Sequence, residues 1–131
     1  MRTGKKSIVV ADDEPNILSA LKEILTDKYF VYTAVDGVEA LKQAREIRPS
    51  ALLLDVLMPG MGGFEACAIL KADEKIKSIP VIFLTAKAQT EDVEKGFASG
   101  ADAYIAKPFS AEKLLQKVEE VITKAEIRGG L

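Results

Sequence analysis

Two hydrophobic rhythms alternate along the chain. Short blocks of consecutive apolar residues recur, and between them apolar residues return every three or four positions. The first rhythm suits strands buried on both faces, the second amphipathic helices. Strands are predicted at residues 7–11 (SIVVA), 30–35 (FVYTAV), 51–55 (ALLLD), 80–84 (PVIFL, closing on Thr85) and 103–106 (AYIA). A first helix opens on Pro15, whose missing N–H is not needed there, and carries Ile17, Leu18, Leu21, Ile24 and Leu25 to about Asp27. A second has its stripe at Val38, Leu41, Ala44 and Ile47, with Asp36-Gly37 as turn and cap and Pro49 as stop. A third shows Phe64, Cys67 and Leu70 on one side, a core role for the lone cysteine, and charges from Lys71 to Lys77 at its end. A fourth starts at Thr90-Glu91-Asp92, with acid where the helix dipole favours it, and Gly100 suits its C-cap. Gly96 within it, with only Val93 and Phe97 as apolar anchors, predicts low local stability. Ser110 can cap a fifth, with Leu114, Leu115, Val118, Val121 and Ile122 as its stripe.

Five strands alternating with five helices argue a parallel sheet with helices on both faces. The strands at 7–11, 51–55 and 80–84 are the most continuously apolar and belong in the centre; the other two suit the edges. Right-handed crossovers then allow the strand order 2-1-3-4-5, a doubly wound, flavodoxin-like α/β fold. At 131 residues and 48% hydrophobic, the chain has enough for one domain with one core, expected over about residues 7–124. Residues 125–131 read as a tail or the beginning of a linker.

That order changes the meaning of the polar residues. Asp12 and Asp13 end the first strand, Asp55 the third and Thr85 the fourth, and Lys107 lies just past the fifth. All carboxyl ends of a parallel sheet face one way, so three carboxylates, a hydroxyl and an ammonium converge beside the point where strand order reverses. Clustered carboxylates repel unless a cation is present, and an all-oxygen donor set calls for a hard divalent ion such as Mg²⁺. Asp55 then reads as a nucleophile for a phosphoryl group, a reaction that needs positioning and charge stabilisation above all. Lys107 supplies a second positive charge, and Thr85 a hydrogen bond.

Composition narrows the partners. A net charge of -2 does not support a nucleic-acid-binding surface within these residues. No apolar run reaches membrane-spanning length, and the basic start at Met1 to Lys6 leads into too short an apolar block for a signal peptide. A single cysteine fits the cytoplasm. Histidine is absent, so any phosphohistidine donor must come from another protein.

The acidic pair Asp12-Asp13, Asp55 followed by Met58-Pro59 and Gly63, Leu84-Thr85-Ala86, Gly100-Ala101-Asp102 and Lys107-Pro108-Phe109 together resemble the receiver domain of bacterial two-component response regulators. The likeness runs from Ile8 to about Ile122. It implies that Asp55 takes a phosphoryl group from a sensor histidine kinase or phosphotransfer protein. It further implies that Asp12, Asp13, Asp55 and the backbone carbonyl of Leu57 hold Mg²⁺. Thr85 and Tyr104 would form a switch pair, and Lys107, in a cis peptide with Pro108, would contact Asp55 or its phosphate. Output would pass through the surface of helix 4, strand 5 and helix 5 to a protein target or effector domain, with a phosphorylation-dependent dimer left open. Such a module is not an enzyme beyond its own phosphorylation and dephosphorylation.

One departure from the family pattern is Gly62-Gly63, where Asp-Gly is frequent; two glycines add backbone freedom as helix 3 begins. Leu57 and Lys87 occupy rim positions that in this family influence hydrolysis. An apolar Leu57 cannot orient water, which predicts slow autodephosphorylation. The competing reading is a haloacid dehalogenase-like phosphohydrolase. That class needs its nucleophile after strand 1, which would leave Asp55 and Met58-Pro59 unexplained. A receiver-like scaffold that is never phosphorylated would not need the five site residues.

Overall fold

The computed structural model describes residues 4–86 and 90–129. The elements run β1 (Lys6–Ala11), α1 (Pro15–Leu25), β2 (Tyr29–Ala34), α2 (Gly37–Ile47), β3 (Ala51–Asp55), α3 (Gly63–Lys71), β4 (Val81–Thr85), α4 (Thr90–Ala98), β5 (Ala103–Ala106) and α5 (Ala111–Arg128). All strand pairings are parallel, in the order β2-β1-β3-β4-β5. The expected doubly wound sheet is therefore present. β3 and β4 are buried along their whole length, which is why their sequences show no polar alternation.

The core lies on both faces of the sheet. On one face Leu21, Leu25, Leu114, Val118, Val121 and Ile122 of α1 and α5 pack against Ile8, Val10, Leu53, Ile82 and Leu84. On the other, Ala40, Leu41, Ala44, Ala66, Cys67 and Leu70 of α2 and α3 meet Val9, Leu52, Leu54, Val81 and Phe83. Each large aliphatic side chain buried there contributes about 1.5–3 kcal/mol. Cys67 is a core residue as expected; its thiol reaches the Ser99 carbonyl oxygen at 3.4 Å, and burial raises its proton affinity.

Several boundaries differ from the sequence reading. β2 begins at Tyr29 and stops before Val35, whose side chain is exposed and whose N–H donates to Glu39 Oε1 at 2.9 Å; Val35 belongs to the turn into α2. Helix α1 ends at Leu25 rather than near Asp27. Val38 is exposed, and the buried stripe of α2 is Gly37, Ala40, Leu41 and Ala44. The cause is Gly37. Its N–H donates to the Met61 carbonyl oxygen, and a Cβ there would meet that oxygen at 2.6 Å. This close approach turns α2 so that Gly37, not Val38, faces inward. The charged stretch after α3 hides two core residues, Ile76 and Ile79, in a turn. Helix α5 continues to Arg128, past the expected core boundary at 124. Arg128 donates to Asp102 Oδ1 at 3.1 Å, while Asp102 Oδ2 accepts the Val81 N–H at 2.9 Å, so one carboxylate ties the end of α5 to the start of β4. Lys87, the Val93 side chain, the acidic side chains opening α4, and Gly130-Leu131 lie outside what is described.

Candidate functional site

The site is built from strand ends. β1 finishes at Ala11 and delivers Asp12, fully buried, whose Oδ1 accepts the Glu14 N–H at 2.9 Å. Asp13 is exposed beside it. β3 delivers Asp55, only 6% exposed, as its final residue, and β4 delivers Thr85, also buried. One carboxylate oxygen from each of Asp12, Asp13 and Asp55 lies within 4.8 Å of the others.

Lys107 closes the arrangement from the far side. Its Nζ lies 2.8 Å from Asp12 Oδ2, 3.6 Å from Asp55 Oδ1 and 3.7 Å from Glu14 Oε1. A backbone hydrogen bond holds it there, its N–H donating to the Thr85 carbonyl oxygen at 2.7 Å; the Lys107–Pro108 peptide that follows is cis. Both Lys107 and the neighbouring carboxylates are therefore at the rim where the strand order reverses.

Electrostatics follow from the crowding. Burial, with the Asp12 carboxylate next, pushes Asp55 up to about 6, although Lys107 and the Leu57 N–H pull the other way. Burial alone would lower the proton affinity of Lys107. Its hydrogen bond to Asp12 and the charges of Asp55, Asp12 and Glu14 outweigh that and hold the ammonium above its ordinary value. The donor set is all oxygen and carries more negative than positive charge, which fits a hard divalent cation rather than a soft metal. Asp12 already serves Lys107 and the Glu14 N–H, so Asp13 and Asp55 have the freer oxygens.

Beneath Asp55 the chain turns sharply into α3. Gly63 donates its N–H to the Val56 carbonyl oxygen at 3.0 Å, and a Cβ on Gly63 would collide with the Asp55 carbonyl oxygen. The glycine pair, read in sequence as a source of freedom, is thus packed at its second member, and close approach is the reason. Gly62 forms the N-cap with extended backbone and no side-chain bond, the consequence of lacking an Asp there.

Tyr104 stands on β5 opposite Phe83 of β4, one diagonal step from Thr85. Strand residues two apart share a face, so Phe83 and Thr85 point the same way. The Tyr104 ring packs between Phe83 and Phe97, each at 5.8 Å between centroids, and Phe83 meets Phe64 edge-on at 5.1 Å. Gly96 of α4 makes room: a Cβ there would lie 2.7 Å from Tyr104 Cε2 and 3.0 Å from Phe83 Cδ2. In the sequence Gly96 reads as a weak point of α4; in the fold it is the seat of the tyrosine ring.

The strand ends open into a cavity of about 540 Å³ that includes Asp13, Asp55, Leu57, Thr85 and Lys107. Two further wall residues, Phe64 and Lys95, were not anticipated. Phe64 looked like core alone, and no periodicity reports which way a lysine on α4 turns.

A family profile described as the response regulator receiver domain matches residues 8–119. The DNA-binding response regulator MtrA of Mycolicibacterium smegmatis is 39% identical over 127 residues, covering 96% of this chain and 54% of MtrA. The hybrid signal transduction histidine kinase D of Dictyostelium discoideum is 38% identical over 120 residues, covering 92% of this chain and 8% of the kinase. The chain thus spans about half the length of MtrA. Among solved structures, the receiver domain of the sensor histidine kinase PA1611 from Pseudomonas aeruginosa PAO1, with magnesium coordinated in its active-site cleft, superposes with a TM-score of 0.85. It is 29% identical, and the match covers 91% of this chain and 98% of that one. With that profile spanning most of its length, and with the strand order and the acidic rim already described, the chain belongs to the response regulator receiver domain family.

Proposed function

We propose that this receiver is phosphorylated on Asp55 by a phosphohistidine carried on a sensor histidine kinase or phosphotransfer protein. One observation carries the reading: Lys107 Nζ stands 2.8 Å from Asp12 and 3.6 Å from Asp55, on a rim where three carboxylates gather. An Asp55 oxygen forms the new P–O bond as the donor's P–N bond breaks, and the imidazole leaves with the electron pair. At neutral pH Asp55, with its pKa near 6, is ionised and nucleophilic. Lys107 faces the developing negative charge, and the Thr85 hydroxyl donates to a phosphoryl oxygen. Asp13, Asp55, Asp12 and the Leu57 carbonyl are the proposed holders of Mg²⁺, which when bound neutralises charge between carboxylate and phosphoryl oxygens.

Thr85 and Tyr104 are the proposed switch. Movement of the Thr85 hydroxyl toward the phosphoryl group would let the tyrosine ring, now packed against Gly96, turn inward, altering the face of α4, β5 and α5. That face has a cavity of about 600 Å³ whose apolar lining includes Phe97, Tyr104, Val121 and Ile127, suited to a protein partner or effector domain. A dimer formed on phosphorylation would use the same face. The receiver itself would meet proteins rather than nucleic acid, in the cytoplasm. No helix among the described residues is long and apolar enough to cross a membrane.

The exposed Leu57 side chain offers no group to orient water, which supports a long-lived phosphoaspartate. A phosphohydrolase using Asp12 is disfavoured, since that carboxylate is buried and held by Lys107 and the Glu14 N–H. Incubation with acetyl phosphate and Mg²⁺, followed by intact mass, tests the proposal. One hydroxylamine-labile phosphoryl group is expected on the parent chain and none on Asp55→Asn. Equal labelling of both, or steady turnover without accumulation, refutes it.

A further inference from the structure

The cavity at the strand ends has a second cationic wall. Lys107 is engaged with Asp12, Asp55 and Glu14, and its side chain is only 12% exposed. Lys95, on α4, lines the same cavity and is exposed. Among the described residues it forms no ion pair, and its exposed ammonium stands on the wall that an incoming group would meet. Its neighbour Gly96 seats the Tyr104 ring, so the helix turn that presents Lys95 to the cavity also touches the tyrosine.

The charge balance gives Lys95 a task. A phosphodonor is an anion, and it must approach a rim of three carboxylates with Glu14 nearby. A solvated lysine at the mouth raises the local concentration of anions, and its effect falls with salt. We propose that Lys95 is a specificity-determining contact for the anionic phosphodonor, acting from the α4 wall while Lys107 holds the carboxylates. The inference rests on phosphorylation at Asp55. In the reaction with acetyl phosphate, the phosphorus–oxygen bond to acetate breaks, acetate leaves with the electron pair, and the phosphoryl group bonds to an Asp55 oxygen. Lys95 contributes to binding the donor and takes no proton.

Two measurements on the whole chain test it. The first is the rate of Asp55 labelling against acetyl phosphate concentration for the parent and for Lys95→Ala, Lys95→Arg and Lys95→Glu. Lys95→Ala should raise KM about two- to fivefold with kcat nearly unchanged, the scale of one solvent-screened charge. Lys95→Arg should stay near the parent, Lys95→Glu should be worse than alanine, and high salt should bring all four together. The second is Mg²⁺ affinity by titration without phosphodonor. Lys95→Ala should bind Mg²⁺ as tightly as the parent or more so, since a nearby positive charge has gone; general damage would weaken it. Parent-like KM and salt dependence in Lys95→Ala and Lys95→Glu overturn the proposal while the Asp55 reading stands. A parent chain that is never labelled overturns both.

Discussion

Asp55→Asn should make this protein more stable, not less, in metal-free buffer at neutral pH. The substitution keeps shape and removes charge. The carboxylate it replaces is 6% exposed, so solvent screens little of its interaction. Burial and the Asp12 charge raise its pKa from 3.8 to about 6. That difference corresponds to about 3 kcal/mol held against the ionised form. The folded pKa is above the unfolded one, so the folded state holds a proton that the unfolded state has released. Stability is greatest at low pH and falls as pH rises from about 4 through about 6, and the whole penalty persists above. Asparagine escapes it. It also keeps an oxygen for the Leu57 N–H, now at 3.4 Å, and loses only the 3.6 Å ion pair with Lys107, whose 2.8 Å contact is to Asp12. Urea unfolding at pH 7.5 with EDTA should show Asp55→Asn more stable by about 1–3 kcal/mol, and by about 1 kcal/mol or less at pH 4.5. Saturating Mg²⁺ should stabilise the parent more than the variant and narrow the gap. A variant equal to or weaker than the parent at pH 7.5 in EDTA, or a gap independent of pH, would refute the account of a strained anion.

Two other substitutions probe the surroundings. Gly96→Ala gains up to about 1 kcal/mol of helix propensity but drives a methyl group to 2.7 Å from Tyr104, so a net loss of about 1–2 kcal/mol is expected with an altered near-ultraviolet tyrosine signal; an unchanged signal and stability would mean the ring is not seated there. Lys107→Ala leaves buried Asp12 without its 2.8 Å partner and should cost about 3–5 kcal/mol in EDTA by urea unfolding, with part recovered by Mg²⁺; a loss below about 1 kcal/mol would show that the lysine does not compensate the carboxylates.

Much of the molecule follows from its local pattern. Strands such as Ala51–Asp55 are buried on both faces, so each position had to be apolar until the strand reached its carboxyl end, where Asp55 stands at the rim with its neighbours' charges around it. Alternation with amphipathic helices then constrains strand order, and strand order places Asp12, Asp55, Thr85 and Lys107 on one rim without reference to any distance. What periodicity cannot carry is the rotation of a helix about its own axis when a close backbone approach sets it. Gly37 against Met61 turned Val38 out to solvent, and Gly96 against Tyr104 fixed the seat of α4, the helix from which Lys95 lines the Asp55 cavity. Gly63 looked like slack and is a close fit, because only the folded chain brings the Asp55 carbonyl to it. Ile76 and Ile79 sit among lysines in a turn with no repeat to betray them, and only packing against the sheet buries them. Residue type and spacing determine which groups reach the rim; contacts between segments far apart in the chain decide how they are aimed and how strongly Asp55 is pressed by its neighbours.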